Sequence, residues 1–361
     1  MRIAAVTPLE IRWYISIEML LREQVPLAEY TTFGIGGPAR WFVEATDEES
    51  VVEAVRFARE LNAPLFVLGG GSNLLVSDTG FPGLVLRIAI KGIKQEGNRF
   101  HVAAGEDWDG FVSLGIDGGF GGIECLAGIP GTVGGTPVQN VGAYGQEVSG
   151  TIVSVRVLDV NHLQYADLPA ETCGFSYRRS MFNSSHKGQF IVTRVVYKLH
   201  TKAFPVLQYA DLKRYFQGRQ DPPTLAEAAT AVREIRHQKG MLLVEGEPDC
   251  RSAGSFFKNP VVPQAKYDEV AGGVNGPVPS FPAQQGFVKI PAAWLLEQAG
   301  FKKGFTLGAA GISSRHTLAL INRGGATAAE ILALRDLIIA SVEKRFGIHL
   351  EPEPVFLGAT T

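Results

Sequence analysis

Val51, Val52, Val55, Ala58 and Leu61 fall at helical spacing, and Thr46 with Glu49 three residues on reads as a capping box, so a helix is predicted from residue 47 onward. A strand over 40–44 precedes it. A short apolar strand over 64–68 follows, then apolar runs at 74–76 and 84–88 separated by the turn Ser77-Asp78-Thr79-Gly80. Residues 107–115 suit a short helix, and 152–160 and 190–199 suit strands. Beyond Pro222 helical spacing returns over 225–238 and 292–299, with a strand over 317–322. Thr327 and Glu330 form a second capping box, ahead of Ile331, Leu334, Ile338 and Val342 on one face. Gly347 closes that helix, and 348–357 reads as a last strand region. No internal repeat or low-complexity segment interrupts this pattern.

Two glycine clusters break it in a different way. Gly69-Gly70-Gly71-Ser72-Asn73 follows a strand, as phosphate loops do, but the spacing is neither GxxxxGK[ST] nor GxGxxG, and a strand rather than a helix comes next. That excludes the Rossmann and P-loop readings. Consecutive backbone N–H groups in such a turn still make an anion-binding nest. The second cluster, residues 118–147, is one-third glycine and has no basic residue nearer than Arg99 and Arg156. A bed of this kind lets a ligand approach the backbone closely, with N–H groups supplying the positive potential that a pyrophosphate requires. Gln139, Asn140 and Tyr144 within it offer the donors and acceptors that a flavin edge or ribityl chain uses. A set of tight turns in a β-rich domain is the alternative reading of the same glycines.

Composition narrows the class. The chain has 361 residues, enough for two or three domains, and a formal net charge of -2, which argues against nucleic acid as a main partner. Cys125, Cys173 and Cys250 are far apart, with no CxxC and no histidine pair nearby, so neither a disulfide framework nor a metal site is expected. The first residues are interrupted by Glu10, Arg12 and Glu18 and do not read as a signal peptide, and no run is long enough to span a bilayer. The expectation is a cytoplasmic protein without a membrane partner.

The glycine bed, Tyr177-Arg178-Arg179-Ser180-Met181-Phe182, Ala253-Gly254-Ser255-Phe256-Phe257-Lys258-Asn259-Pro260 and Leu350-Glu351-Pro352-Glu353-Pro354, in this order, resemble the UDP-N-acetylenolpyruvoylglucosamine reductase (MurB) family. The resemblance runs from about residue 25 to 358. It implies an α+β fold in which an FAD-binding domain of the vanillyl-alcohol-oxidase (PCMH) type is followed by a MurB C-terminal α+β substrate domain. The division expected on that basis is an N-terminal extension over 1–24, an FAD-binding region over 25–220 in two subdomains (about 25–90 and 91–220), a substrate domain over 221–346, and a final strand over 347–361. The implied reaction is NADPH-dependent, FAD-mediated reduction of UDP-N-acetylglucosamine enolpyruvate to UDP-N-acetylmuramate. It belongs to peptidoglycan precursor synthesis, and so to cell-wall biogenesis, cell shape and division, with the protein taken as a monomer.

Residue by residue, Arg178 matches the family's electrostatic arginine, Ser255 its proton donor and Glu353 the glutamate that helps to stabilise the intermediate. The assignment is chemically coherent. Hydride addition to an enolpyruvyl double bond drives negative charge into the carboxylate, which calls for a planar cation there and an acid at the carbon. Arg179 competes with Arg178, and Glu351 with Glu353, since residues two apart on a strand share a face. The FAD contacts implied are Gly69, Gly70, Gly71, Ser72, Asn73, Gly128, Ile129, Pro130, Gly131, Gly134, Gln139, Asn140, Gly142, Ala143 and Tyr144. The substrate contacts implied are Tyr177, Tyr209, Asn259, Lys289, Gln298 and Lys239. Tyr209 resembles the lid tyrosine of the long-loop subgroup. The register of Lys239 stays open, because Gly240-Met241 follow it and the loop toward Ser255 looks enlarged. Gly134-Gly135 stand where many members carry Ser or Ala, which is expected to loosen the bed. Neither glycine loop contains a histidine, and Cys125 reads as a buried thiol, so the FAD is expected to be non-covalent. Two alternatives remain: an FAD-dependent oxidase or dehydrogenase of a small alcohol or sugar on the same scaffold, and a catalytically silent UDP-sugar binder.

Overall fold

The computed structural model describes residues 21–201 and 204–358, and the described chain forms two compact units. The first contains the described residues up to Val25, then Pro38–Gly71 and Phe81–Arg236. The second contains Pro26–Gly37, Ser72–Gly80 and the chain from His237 onward. These units do not follow the sequence division at residue 220, because two short N-terminal segments pack with the C-terminal half. The extension read over 1–24 lies mainly outside the described residues, although Arg22–Pro26 is a strand.

In the first unit, Pro38–Ala45, Phe81–Ile88 and Leu65–Leu68 form parallel pairs, with Phe81–Ile88 in the middle and Arg22–Pro26 on the far side of Pro38–Ala45. Parallel strands are covered on both faces and therefore read as near-continuous apolar runs, as Leu84-Val85-Leu86 does; all three are fully buried. The helix Glu48–Glu60 begins one residue later than Thr46 and Glu49 imply. Asp47 is the cap, accepting from Ser50 N at 2.7 Å, while the Ser50 hydroxyl accepts from Asp47 N. A carboxylate is the stronger acceptor and also suits the positive end of the helix.

The second sheet of this unit is antiparallel, in the order Gln164–Pro169, Ile152–Asp159, Phe190–Lys198, Arg99–Ala103, Ile93–Glu96. Gln164–Pro169 is a largely exposed edge strand without a clean apolar alternation, which is why periodicity missed it. Arg156 ties this sheet to the helix Glu48–Glu60 by two bonds to Glu48, at 2.7 and 2.9 Å. Burial alone raises the Glu48 carboxyl, but the hydrogen bonds from Arg156 and Thr193 and the Arg156 charge outweigh it and hold Glu48 below its ordinary value.

The second unit is built around the helix Ala328–Phe346, with Ile331, Leu334, Ile338 and Val342 fully buried. Its predicted capping box is present, and Gly347 closes it with φ 62°. Phe33, Ile35 and Leu75 from the two N-terminal segments enter the same core. Leu74–Val76 pairs in parallel with Val355–Leu357. The strand expected over 348–357 is thus shortened to Val355–Leu357, since Pro352 and Pro354 lack the N–H that a ladder needs. Asp78 reaches the N-terminus of the long helix and accepts from Ala328 N at 2.7 Å and Ala329 N at 3.1 Å. Asp78→Ala is therefore expected to destabilise this unit by about 0.5–2 kcal/mol. Chemical denaturation monitored by far-UV circular dichroism checks it, and an unchanged midpoint would rule out the cap. Among the described residues no helix is long and apolar enough to cross a membrane.

Candidate active site

The two glycine loops of the first unit lie back to back. A Cβ built on Gly70 would stand 2.5 Å from Gly131 Cα, and one on Gly69 would stand 2.9 Å from Thr132 Oγ1, so only glycine permits this approach. The bed is pinned from beneath: Trp108 N donates to Gly131 O at 3.1 Å, Val133 N to Glu106 O at 2.9 Å and Gly134 N to Ala104 O at 2.9 Å. Gly134 is consequently tight rather than loose, because a Cβ there would lie 2.6 Å from Ala104 Cβ; its neighbour Gly135 faces open space. Among the described residues, the N–H groups of Gly70, Gly71, Ile129, Gly131 and Thr132 donate to no protein acceptor. Five such donors on two touching loops are what a pyrophosphate would satisfy.

The expectation of a cradle without cations holds along the sequence and fails in space. Arg236, on the helix Leu225–Gln238, is 8% exposed and donates from Nε to Gly128 O at 3.0 Å. Asp109 Oδ1 accepts from Gly128 N at 2.6 Å and pairs with Arg233 Nη2 at 2.8 Å. Gly128 is thus held by a guanidinium on its carbonyl and a carboxylate on its amide. Burial is the main influence on Arg236 and pushes its pKa down, against the opposing effects of Tyr144 and Asp109. Sequence reasoning missed this residue, although a signal existed: Arg236 occupies the same helical stripe as Leu225, Ala229 and Val232, where a lone cation is out of place.

Asn140 is also in the bed but its side chain faces the protein. It is fully buried, its Nδ2 donates to Glu147 Oε2 at 2.8 Å and Ser176 O at 3.1 Å, and its Oδ1 accepts from Ser149 N at 3.2 Å. This residue shapes the loop from within. Ser176 and Arg179 bond each other's backbone at 2.9 and 3.0 Å, which places Tyr177 and Arg178 at the corner of a tight turn. Arg178 adopts φ 56°, a strained conformation for a residue with a Cβ. Its guanidinium reaches back to the bed, so that a Cβ on Gly142 would lie 3.3 Å from Nη1. Arg178 is half-buried and Arg179 exposed, which separates the two arginines that sequence left equivalent.

Tyr209 stands edge-on to Tyr144 of the bed, with ring centroids 5.3 Å apart, and remains 39% exposed, so it is not a core aromatic. A Cβ on Gly145 would meet Gln208 Cβ at 3.5 Å, which shows that the segment before Tyr209 lies across the end of the bed.

In the second unit, Ser255 lies between Gly254, at φ 72°, and Phe256, whose N–H donates to Leu318 O at 2.8 Å. Glu353 N donates to Phe256 O at 2.8 Å, and Asn73 Nδ2 donates to Glu353 O at 3.2 Å. Two residues nearly a hundred positions apart in sequence are therefore neighbours in this unit. Glu351 is engaged elsewhere: it pairs with Lys258 at 2.5 Å and its side chain is 69% exposed. Asn259 Oδ1 accepts from Ala292 N at 2.9 Å, at the start of the helix Ala292–Gln298 that carries Gln298. Lys289 is opposite Val261, two residues after Asn259, in a three-stranded sheet. Lys239 follows the helix Leu225–Gln238 and is half-buried.

Cys125 is fully buried, and burial, with the Glu124 charge adding to it, pushes its thiol up to about 12. Burial likewise pushes Cys173 up to about 11. Both thiols are expected to resist alkylation at pH 8 in the native protein and to react once it is unfolded. Mass spectrometry after iodoacetamide checks this, and rapid native labelling of Cys125 would contradict its placement. Among the described residues no group of three or more His, Cys, Asp or Glu is arranged to hold a metal.

Comparison with known proteins agrees across the chain. Residues 247–357 match the family profile "UDP-N-acetylenolpyruvoylglucosamine reductase, C-terminal domain", and residues 39–161 match "FAD binding domain". The UDP-N-acetylenolpyruvoylglucosamine reductase of Thermobifida fusca is 45% identical over 351 residues, covering 93% of this chain and 98% of that protein. The protein of the same name from Streptomyces coelicolor is 43% identical over 342 residues, covering 92% and 89%. The crystal structure of the reductase from Thermus caldophilus is 28% identical with a TM-score of 0.66, covering 94% of this chain and all of that one.

Proposed function

The chain belongs to the UDP-N-acetylenolpyruvoylglucosamine reductase family, and from that premise we propose that it uses NADPH and non-covalent FAD to reduce UDP-N-acetylglucosamine enolpyruvate to UDP-N-acetylmuramate. We place this reaction in the cytoplasm, in a monomer, as a step of peptidoglycan precursor synthesis. The observation that carries the cofactor assignment is the pair of touching glycine loops with N–H groups of Gly70, Gly71, Ile129, Gly131 and Thr132 turned to no protein acceptor. They would hold the pyrophosphate, with Gly128 set by Arg236 and Asp109. FAD held there would supply hydride-transfer chemistry, with NADPH as the hydride donor.

The residues of this chain do the rest. Arg178 meets the substrate carboxylate, where charge accumulates as the double bond is reduced, and its fork suits two oxygens at once. Its strained backbone supports that assignment, since such strain persists where a side chain must be held in one direction. Ser255 gives its hydroxyl proton to the neighbouring carbon, an acid strong enough against a carbanion. Glu353, hydrogen-bonded through its backbone to the residue after Ser255, steadies the intermediate beside it. Tyr177 and Tyr209 are proposed as substrate contacts, with Tyr209 as the lid tyrosine of the long-loop subgroup. Asn259, Lys289, Gln298 and Lys239 are proposed as contacts to its UDP and sugar. Ser72, Asn73, Pro130, Gln139, Gly142, Ala143 and Tyr144 complete the proposed flavin surroundings.

The visible spectrum of the purified protein tests this reading. A yellow preparation should be bleached by NADPH without oxygen and recoloured by the UDP-enolpyruvyl sugar. Recolouring by oxygen alone would favour an oxidase on the same scaffold. A colourless protein that takes up no FAD would end both readings.

A further inference from the structure

The loop that leads from Lys239 to Ser255 is fastened at a point that the proposed chemistry does not use. Asp249, 8% exposed, accepts from Ser314 Oγ at 2.7 Å and Ser313 Oγ at 3.1 Å. Arg315 has its Nε 3.8 Å from the same carboxylate; its Nη1 pairs with Glu247 at 2.7 Å and donates to His237 O at 3.0 Å. His237 Nε2 lies 2.7 Å from the other Glu247 oxygen. Gly240, at φ 64°, rests directly on this assembly: a Cβ there would stand 3.1 Å from Asp249 Cβ, 3.3 Å from Ser313 Oγ and 3.4 Å from Arg315 Cδ. The main chain is thus held two residues before Lys239 and one residue after it, by groups from the far end of the loop and from the turn at 313–315.

We propose that Asp249, with Arg315 and the Ser313-Ser314 hydroxyls, is a positioning residue that sets the backbone of Lys239 and so aims its ammonium at the anionic part of the substrate; this rests on the substrate role proposed for Lys239. A flexible four-carbon side chain binds a diphosphate well only if its root is fixed, because the entropy of ordering a mobile loop opposes binding. The carboxylate is nearly inaccessible, and its Oδ2 accepts from two hydroxyls of one turn. A surface carboxylate kept only for solubility would not be placed in that way. The enlarged loop makes such a clamp necessary, since a longer connection leaves more conformations to suppress.

The test compares full-length holoenzymes carrying Asp249→Ala, Ser314→Ala, Lys239→Ala and the double change Asp249→Ala/Lys239→Ala. Measured are KM and kcat for the UDP-enolpyruvyl sugar and the rate of anaerobic flavin bleaching by NADPH. Asp249→Ala is expected to raise KM by roughly ten- to a hundredfold. Its kcat should change by less than about threefold, and the double variant should be no worse than Lys239→Ala alone. Ser314→Ala, which removes one exposed donor and leaves Asp249 in place, should raise KM by a smaller factor, and it carries the test if Asp249→Ala does not fold. A raised KM for Lys239→Ala beside a native KM for Asp249→Ala and Ser314→Ala would overturn the clamp alone. So would multiplicative effects in the double variant. A native KM for Lys239→Ala would remove the lysine's substrate role, and the clamp's purpose with it.

Discussion

Ser255→Ala should leave a protein that NADPH still bleaches at the native rate but that the enolpyruvyl substrate recolours roughly 10²–10⁴-fold more slowly. The two half-reactions make different demands on this hydroxyl. Hydride delivery to the cofactor needs no proton from Ser255, whereas saturating the enolpyruvyl double bond leaves a carbanion that must be protonated. Phe256 is held by Leu318 and Glu353, so loss of the hydroxyl should not disturb the surrounding backbone. Stopped-flow spectrophotometry of each half-reaction decides the matter. Equal slowing of both would mean that Ser255 acts in binding or structure, and the proton would have to come from another group.

Gly70→Ala should yield a protein that purifies without flavin, whereas Gly135→Ala should remain yellow. The contrast follows from what each new methyl would meet: the Gly131 backbone at 2.5 Å in the first case, and nothing within 4 Å in the second. Backbone cannot swing aside as a side chain can, so the two loops must separate. Overpacking of this kind costs about 1–3 kcal/mol, and it falls on the N–H groups proposed to hold the pyrophosphate. Absorbance at the flavin band relative to 280 nm, with thermal unfolding of both variants, distinguishes loss of cofactor from loss of fold. Normal flavin content in Gly70→Ala would show that the close approach of the two loops does not matter for binding.

Much of the local architecture was legible because short-range signals agreed. The helices Leu225–Gln238 and Ala328–Phe346 have apolar stripes and, in the second, a capping box and a terminal glycine all pointing one way. Where two nearby residues of one type compete for a role the sequence is mute: Arg178 against Arg179, Glu351 against Glu353. Each pair is distinguished only once burial and pairing are known, with Arg178 against the bed and Glu351 on Lys258. The long-range features were invisible for a different reason. The bed has no basic residue within it, yet the fold brings Arg236 to it from about a hundred residues away, and periodicity carries no record of such encounters. The same holds for the clamp at Asp249, whose partners come from a distant turn.

That the second unit is built partly from two early segments also bears on how the molecule comes into being. Leu74–Val76 leaves the ribosome early, but its only parallel partner in that small sheet, Val355–Leu357, is made some 280 residues later. Asp78 likewise waits for the helix that it caps. A chain cut at residue 237 would therefore keep every segment of the first unit in its N-terminal piece but leave the second unit incomplete. The C-terminal piece would lack Phe33, Ile35 and Leu75 from its interior and would expose an apolar strand edge, so it should associate with itself in solution.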